Sequence, residues 1–342
     1  FWEGLEPEPV ILNEDYLKGI DEMLNYAHQN GIYVFLDMHQ DLYSQKFSDG
    51  APLWATLTQR KKHINVSDVW SDAYFTSPAI QTAVDNFWDN ALAIDRVGLQ
   101  DHFAAVWSNV ARRYANHPAV IGYDIYNEPQ PGTISAHAQV VMFAKAAELL
   151  IESGLMKEHL ANLPKGADMV ESLMYFWFTE KGRTIILDLL KDMALYKPII
   201  DAQQPFYQQF EQGKLMPMYT RISQAIRKVD PVGFLFLETT MASNMGGLTG
   251  ISPILNEQDK VDPYQVYAPH GYDPVTDTPD LGAACPDRVE LIFNRHQESA
   301  KRLKMLLLVG EWGAYGIQEN TLEPAWQVVN LFEQMQCSDT YW

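Results

Sequence analysis

Residues 13–41 read NEDYLKGIDEMLNYAHQNGIYVFLDMHQD, and this stretch decides the fold. Asn13 is a typical helix N-cap residue. Apolar side chains then recur on one helical face, at Leu17, Ile20, Leu24 and Ala27. Gly31 ends the helix. The next residues, 32–36, form a short apolar, β-prone run of the kind that is buried on both faces of a parallel sheet.

The same alternation continues along the chain. Four further apolar runs predict strands, at residues 120–126, 233–237, 264–268 and 306–309. The segments with helical patterns are about 79–95, 99–115, 216–228, 287–303 and 323–336. Strands that alternate with helices predict βαβ units and a parallel sheet.

Each of these strands leads into polar residues. In chain order they are Asp37, His39 and Asp41, then Asn127 and Glu128, then Glu238, then His270 and Tyr272, and last Glu311. Reactive side chains at the C-terminal ends of successive strands favour a (β/α)8 TIM barrel. An open doubly wound sheet also binds ligands there, but the Gly-rich phosphate turn expected after a first strand is missing.

We predict one barrel domain over residues 1–342. Phe1-Trp2 is interpreted as the end of an earlier strand and Thr340-Tyr341-Trp342 as part of the last one. The expected barrel then lacks its first strand and most of its second, so we expect a fragment of a longer protein.

Residues 132–231 are too long for a plain βα connection and predict a helical insertion after the fourth strand of the barrel. Its candidate helices run from Val140 to Ile151 and from Met169 to Leu195. The run Leu173–Phe178 is strongly apolar. It either packs the insertion against the barrel or forms a lid or groove for an apolar substrate.

Composition excludes several classes of protein. Forty-four acidic and 25 basic residues give a net charge of −19, which disfavours nucleic-acid partners. A hydrophobic content of 47% excludes a disordered chain. No apolar run approaches the roughly 20 residues of a membrane helix. Cys285 and Cys337 lack metal-site spacing and are interpreted as free thiols or a single bridge.

Two glutamates carry the strongest chemical signal. Glu128 lies in Tyr126-Asn127-Glu128-Pro129 and Glu311 in Val309-Gly310-Glu311-Trp312-Gly313, each at the end of an apolar strand. Either one alone is explained equally well by a salt bridge or a helix cap. Two carboxyls facing one cavity are what glycoside hydrolysis requires, because one protonates the leaving oxygen while the other attacks the anomeric carbon or activates water.

The neighbouring residues fit a sugar site. The Asn127 amide can bind a sugar 2-hydroxyl, and Tyr272 can donate a hydrogen bond that keeps the nucleophilic carboxylate ionised. His270 can bind the same carboxylate or the sugar, although such a histidine is often structural. Trp54, Trp88 and Trp342 are candidate stacking platforms for pyranose rings, with core packing as the alternative.

The cluster Asp37-Met38-His39-Gln40-Asp41 raises a metal alternative, since histidine and carboxylates are metal ligands. One histidine with two aspartates at i±2 is weak spacing for zinc. Recognition of sugar hydroxyls by His39 and Asp41 is favoured. We expect neither a metal nor a cofactor.

The motifs Asn127-Glu128-Pro129 and Gly310-Glu311-Trp312-Gly313 together resemble glycoside hydrolase family 5, the retaining (β/α)8 glycosidases of the cellulase superfamily. Three stretches resemble its endoglycoceramidase and glycosylceramidase branch: Leu36–Ser44, Gly50–Ala55 and Trp2–Pro7. The resemblance implies that Glu128 is the acid/base and Glu311 the nucleophile. It also implies a sugar site formed by His39, Asp41, Trp88, Asn127, His270, Tyr272 and Trp342.

The expected reaction is hydrolysis of the bond between a sugar or oligosaccharide and ceramide, or a similar lipid. Two alternatives stay open: an endo-β-glucanase acting on soluble β-glucan, and an inactive carbohydrate-binding barrel. The expected partner is a glycolipid or oligosaccharide substrate, with peripheral contact to a membrane or micelle surface. We expect a monomer, and the resemblance favours a secreted protein.

Overall fold

Six parallel strands form one sheet in a computed structural model, which describes residues 1–155, 168–276, 278, 281, 284–315 and 321–342. The strands are β1 (Val34–Asp37), β2 (Val120–Asp124), β3 (Phe234–Leu237), β4 (Gln265–Tyr267), β5 (Leu306–Trp312) and β6 (Ser338–Tyr341). They lie side by side in chain order, and each neighbouring pair is parallel. The parallel sheet predicted from the alternating pattern is confirmed.

Helices separate the strands. The first five are α1 (Trp2–Leu5), α2 (Glu14–Gln29), α3 (Ala73–Thr76), α4 (Pro78–Trp88) and α5 (Leu99–Tyr114). Between β2 and β3 lie α6 (Thr133–Glu152), α7 (Met169–Trp177), α8 (Glu180–Leu189), α9 (Met193–Phe210), a π-helical turn (Glu211–Leu215) and α10 (Met216–Arg227). The remaining helices are α11 (Met241–Asn244), α12 (Pro286–Leu303) and α13 (Leu322–Met335).

The sheet curls so that its two edge strands approach each other at their C-terminal ends. His39 follows β1 and Trp342 follows β6, yet their rings stack with centroids 5.3 Å apart and planes 13° apart. Six curled parallel strands with helices between them form a partial (β/α) barrel. The barrel prediction is confirmed at this level, and β6 contains Thr340 and Tyr341 as expected.

The amino-terminal prediction is wrong in one respect. Phe1-Trp2 is not a strand end, because Trp2 begins the short helix α1. The buried Trp2 indole fixes this turn, and its Nε1 donates a hydrogen bond to Glu6 Oε2 at 2.8 Å. Edge-to-face contacts with Trp54 and Phe103 hold the indole in the core.

Local signals explain where the helices begin and end. The Asn13 side chain accepts a hydrogen bond from the Tyr16 amide at 3.1 Å, so the predicted cap of α2 is confirmed. The helix expected over 79–95 ends earlier, at Trp88. Asn90 there takes a φ of +50°, a left-handed conformation that stops a helix.

The helical insertion has its own apolar core. Phe143, Leu150, Leu173, Ile186 and Ile199 pack together in it. The single helix expected from Met169 to Leu195 is instead broken twice, because the side chains of Thr179 and Asp192 cap the starts of α8 and α9. Residues 156–167 of the insertion lie outside the described residues.

Helix α6 corrects the expectation about membrane-length segments. At 20 residues it is long and apolar enough to cross a membrane by length and composition alone. Its buried side chains include Phe143, Ala146 and Leu150, which pack against α9 residues such as Ile199. These residues belong to the apolar core of the insertion, and 39% of the apolar window of α6 is buried.

A buried ion pair fixes the loop that follows β4. Arg288 on α12 is fully buried, and its Nη2 and Nε atoms donate to the two carboxylate oxygens of Asp273 at 2.8 and 3.0 Å. We expect Arg288→Met to lower the free energy of unfolding by about 3–5 kcal/mol, because it leaves the Asp273 carboxylate buried and unpaired. Urea denaturation measures this loss.

The matched control is Arg113→Met, which removes a half-exposed pair with Asp21. Its expected loss is at most about 1 kcal/mol. Equal losses in the two variants would contradict a structural role for the Arg288–Asp273 pair.

Candidate active site

Polar side chains from all six strands meet at the C-terminal edge of the sheet. They are Asp37, His39, Asp41, Asn127, Glu128, Glu238, His270, Tyr272, Glu311 and Trp342. Parallel strands deliver their C-terminal ends to one rim, which is why residues distant in sequence converge there. Glu311 was expected to follow its strand. It lies inside the strand instead, because β5 extends to Trp312.

Glu128 is held by four hydrogen bonds, one of which runs from Gln40 Nε2 to its backbone carbonyl at 3.3 Å. Its Oε1 accepts from Asn244 Nδ2 at 2.7 Å and pairs with His270 Nδ1 at 3.0 Å. Its backbone N–H donates to Glu238 Oε2 at 2.7 Å. Glu128 also has a φ of +42°, a left-handed conformation that is unfavourable for a side chain and common at functional sites. The surrounding bonds hold the residue in this conformation.

Glu311 faces Glu128 across His270. Its Oε2 accepts a hydrogen bond from the Tyr272 hydroxyl at 3.1 Å and lies 3.3 Å from His270 Nδ1. A carboxylate oxygen of Glu311 lies within 4.8 Å of one on Glu128. Burial and the negative charge of Glu128 raise the pKa of Glu311 to about 7, although the nearby His270 and His39 cations oppose this rise.

His270 is a buried cation at the centre of the site. Burial opposes its charge, but the carboxylates of Glu238, Glu311 and Glu128 outweigh that effect and raise its pKa well above the ordinary value. Its Nε2 lies 3.3 Å from Glu238 Oε1, while its Nδ1 faces the other two carboxylates. His270 thus contacts both Glu128 and Glu311.

Sequence reasoning placed Glu238 at the end of its strand without assigning it a role in the site, and it missed Asn244. Glu238 binds the Glu128 backbone and His270 together, and burial raises its pKa to about 8. The sequence contained a signal for Glu238, because this residue directly follows β3 and other site residues also follow the ends of strands. Asn244 ends the short helix α11 and carried no comparable signal.

His39 and Trp342 form one wall of the site. Hydrogen bonds to Asp37 and Asp41 outweigh the effect of burial and raise the pKa of His39 to about 11. The exposed Trp342 ring stacks on this imidazolium. Asn127 lies behind them, with its Nδ2 donating to the Gln40 carbonyl and its buried Oδ1 lacking a partner among the described residues.

Trp88 does not join the other predicted sugar-binding residues. It is only 5% exposed, and its indole N–H donates to the Gln130 carbonyl at 2.7 Å. Its ring packs against Phe87, Tyr126 and Phe210 in the core. Trp54 likewise packs against Trp2 rather than facing the site.

Several described residues offer metal ligands within 4.8 Å of one another. The groups are His39, Asp41 and Asp49; Glu128, His270 and Glu311; and Asp37, Asp124 and Glu238. In the first group, His39 Nε2 lies 3.8 Å from Asp41 Oδ2, and the Asp41 amide donates to Asp49 Oδ1 at 2.7 Å. In the second group, His270 pairs with Glu128. The third is a buried acidic cluster in which burial and neighbouring carboxylates raise the pKa of Asp124.

A cavity of about 240 Å³ opens from the two glutamates. Its polar end is lined by His39, Asp41, Asn127, Glu128, Tyr272, Glu311 and Trp342. Beyond them its walls are apolar and come from the insertion, with Phe143, Leu173, Trp177, Ile186 and Ile199 among the lining residues. Within the run Leu173–Phe178, Leu173 packs in the insertion core and also lines this cavity.

Comparison with known families settles the classification. A model of the cellulase family, glycosyl hydrolase family 5, matches residues 1–152 and 197–342. The chain belongs to glycosyl hydrolase family 5. The resemblance carried by the two glutamate motifs is therefore confirmed, and with it the class of glycoside hydrolases. Residues 153–196 of the insertion fall outside the match.

Relatives in this family match the branch that the sequence indicated. An endoglycoceramidase of Hydra vulgaris is 34% identical over 161 residues, which are 41% of this chain and 30% of that protein. One of Cyanea nozakii is 36% identical over 153 residues, which are 38% of this chain and 29% of that protein. These matches take in less than a third of either relative's length.

Among solved structures, endo-glycoceramidase II from Rhodococcus sp., in complex with a cellobiose-like imidazole, has the same fold. The TM-score is 0.70 at 22% sequence identity, over 100% of this chain and 63% of that one. The likeness covers the partial barrel and its insertion together.

The raised pKa of Glu311 has a consequence for stability. The folded value of about 7 lies above the ordinary 4.5, so the native state binds this proton more tightly than the unfolded chain. The stability that the protonated Glu311 contributes to the fold is therefore lost as the pH rises from about 4.5 to about 7. We expect Glu311→Gln to raise the melting temperature at about pH 8 and to change it much less near pH 4.5.

Calorimetry at both pH values tests this expectation. Glu323→Gln, a change at an exposed position on α13, is the control and should leave the two melting temperatures nearly unchanged. A lower melting temperature of Glu311→Gln at about pH 8 would rule out the proposed cost of ionising the buried carboxyl.

Proposed function

We propose that the protein is a retaining β-glycosidase that hydrolyses the bond between a sugar or oligosaccharide and ceramide, or a similar lipid. Glu311 attacks the anomeric carbon while Glu128 gives a proton to the departing oxygen. Water then hydrolyses the glycosyl-enzyme with Glu128 as the base.

The spacing of the two glutamates supports double displacement. Their nearest carboxylate oxygens lie within 4.8 Å. Retaining glycosidases hold their carboxyls about 5–5.5 Å apart, whereas inverting ones leave about 6.5–9.5 Å for a water molecule. The short separation leaves little room for a water between Glu311 and a sugar, so direct attack by the carboxylate is favoured.

The contacts of Glu311 support its role as the nucleophile, and they oppose the burial that raises the pKa of its carboxyl to about 7. The nucleophile must be ionised, and Glu311 receives a hydrogen bond from Tyr272 beside the cationic His270. Attack by Glu311 converts its carboxylate into a neutral ester, which removes one negative charge facing Glu128. Glu128 can then accept a proton from the incoming water.

Sugar recognition fits the residues on the polar wall. The unpartnered Asn127 Oδ1 is available to accept a bond from a sugar hydroxyl next to the reacting carbon. His39 and Asp41 offer charged groups for further hydroxyls, and the exposed Trp342 ring offers a stacking surface.

One observation carries the choice of a lipid leaving group: the cavity continues from the glutamates into apolar walls. Phe143, Ile186 and Ile199 would bury alkyl chains that a soluble glucan lacks. The names of the relatives as endoglycoceramidases support the same choice. An open cleft lined by aromatic rings would have favoured β-glucan instead.

Product analysis tests this proposal. The protein is incubated in detergent with glucosylceramide, a ganglioside and a cello-oligosaccharide, and mass spectrometry identifies the products. We expect free ceramide from at least one glycolipid, because the apolar cavity accommodates the lipid part of the substrate. The accompanying sugar shows whether one residue or a whole glycan leaves.

Two variants control the assay. Glu311→Gln should lose activity by several orders of magnitude, since it removes the nucleophile. Glu323→Gln, far along the chain on the exposed face of α13, should keep it. If the assay yields shortened cello-oligosaccharides and no ceramide, the substrate is β-glucan, hydrolysed by the same mechanism. That result would overturn the lipid assignment.

A further inference from the structure

The apolar stripe of α9 that lines the cavity contains one polar residue. Tyr196, Ile199, Ile200 and Gln203 all line the cavity, at helical positions i, i+3, i+4 and i+7. This spacing places all four on one face of the helix. Three of them suit an apolar ligand, and Gln203 does not.

Helix α6 presents a matching stripe. Gln139, Met142, Phe143 and Ala146 line the same cavity with the same spacing. The two helices run in opposite directions, because Ala138 near the start of α6 packs with Tyr207 near the end of α9. The later part of α6, at Leu150, packs with the earlier part of α9, at Leu195.

This antiparallel arrangement places the two glutamines at the same end of the cavity. Ala138 and Tyr207 also pack with Ala242 of α11. Asn244, at the end of that helix, donates to Glu128. Gln139 and Gln203 therefore lie at the catalytic end, and the apolar side chains of both stripes lie farther from it.

The Gln203 amide is buried without a partner. The residue is 2% exposed, and its Nε2 has no hydrogen bond to any of the residues that the structure describes. Buried amide groups in folded proteins are almost always hydrogen-bonded, because an unmade bond costs the full desolvation of the donor. An unpartnered donor on a cavity wall points to a ligand that supplies the acceptor.

We propose that Gln203 donates a hydrogen bond to an oxygen of the leaving group, close to the bond that is cleaved, with Gln139 beside it as a second amide. The assignment rests on the proposed function. It makes Gln203 a specificity residue for amphiphiles that carry an amide carbonyl or a hydroxyl where the sugar joins the alkyl chains. A plain alkyl glycoside offers no such oxygen and binds only through the apolar walls.

The test compares two lactosides in the same detergent: N-octanoyl lactosylceramide and dodecyl β-lactoside. The measured quantity is the ratio of their kcat/KM values, ceramide over alkyl. In Gln203→Leu we expect this ratio to fall about fivefold to tenfold, the effect of one neutral hydrogen bond. Gln203→Met, which keeps the length of the side chain, should show the same fall.

The matched control is Gln208→Leu on the same helix. Gln208 does not line the cavity, and its Nε2 donates to the Leu248 carbonyl at 2.9 Å. The ratio should stay at its wild-type value there. Melting temperatures give a second readout: Gln203→Leu should be as stable as wild type or more so, and Gln208→Leu less stable, because only Gln208 loses a bond within the protein.

Lactosylsphingosine, which keeps the hydroxyl and lacks the amide carbonyl, distinguishes the two acceptors. If Gln203→Leu leaves the kcat/KM for lactosylsphingosine unchanged, the acceptor is the carbonyl. If this kcat/KM falls as it does for the ceramide substrate, the acceptor is the hydroxyl. An unchanged ratio in both Gln203 variants, or a clear loss of stability in Gln203→Leu, would overturn the inference. Cleavage of neither lactoside by wild type would instead overturn the proposed function on which it rests.

Discussion

The candidate site depends on one buried charge, the imidazolium of His270. It lies within 3.0–3.3 Å of carboxylate oxygens on Glu128, Glu311 and Glu238, and these carboxylates keep it protonated against the cost of burial. Without that cation, like charges would repel one another in a low-dielectric site. The same cation lets Glu128 and Glu311 stay close together, and this is the spacing that the proposed double displacement requires.

The parallel sheet supplies the second constraint. Each strand brings its C-terminal residues to one rim, so the catalytic chemistry is rigidly placed while the connections remain free to vary. The largest connection, between β2 and β3, is the helical insertion whose walls continue the site into an apolar cavity. Under the proposed function, the strand ends determine the type of reaction and the insertion determines the leaving-group preference.

Much of this was accessible from sequence because the signals were local. Asn13 capped α2 as predicted, and the apolar runs before Glu128, His270 and Glu311 were strands. The failures came from tertiary packing. Trp88 lies in the core because the ring of its neighbour Phe87 and two rings from other segments, Tyr126 and Phe210, surround it. Asn244 was missed because a short helix, not the end of a strand, brings it to Glu128.

The central claim is that Glu311 forms a covalent bond to the sugar while Glu128 handles the proton. Trapping with a 2-deoxy-2-fluoro-β-lactosyl fluoride tests it most directly, because the fluorine slows hydrolysis of the glycosyl-enzyme. Intact-mass measurement followed by peptide mapping should show one added fluorolactosyl group on the peptide that contains Glu311. Attachment at any other residue, or turnover of natural substrate with inverted anomeric configuration, would contradict the account.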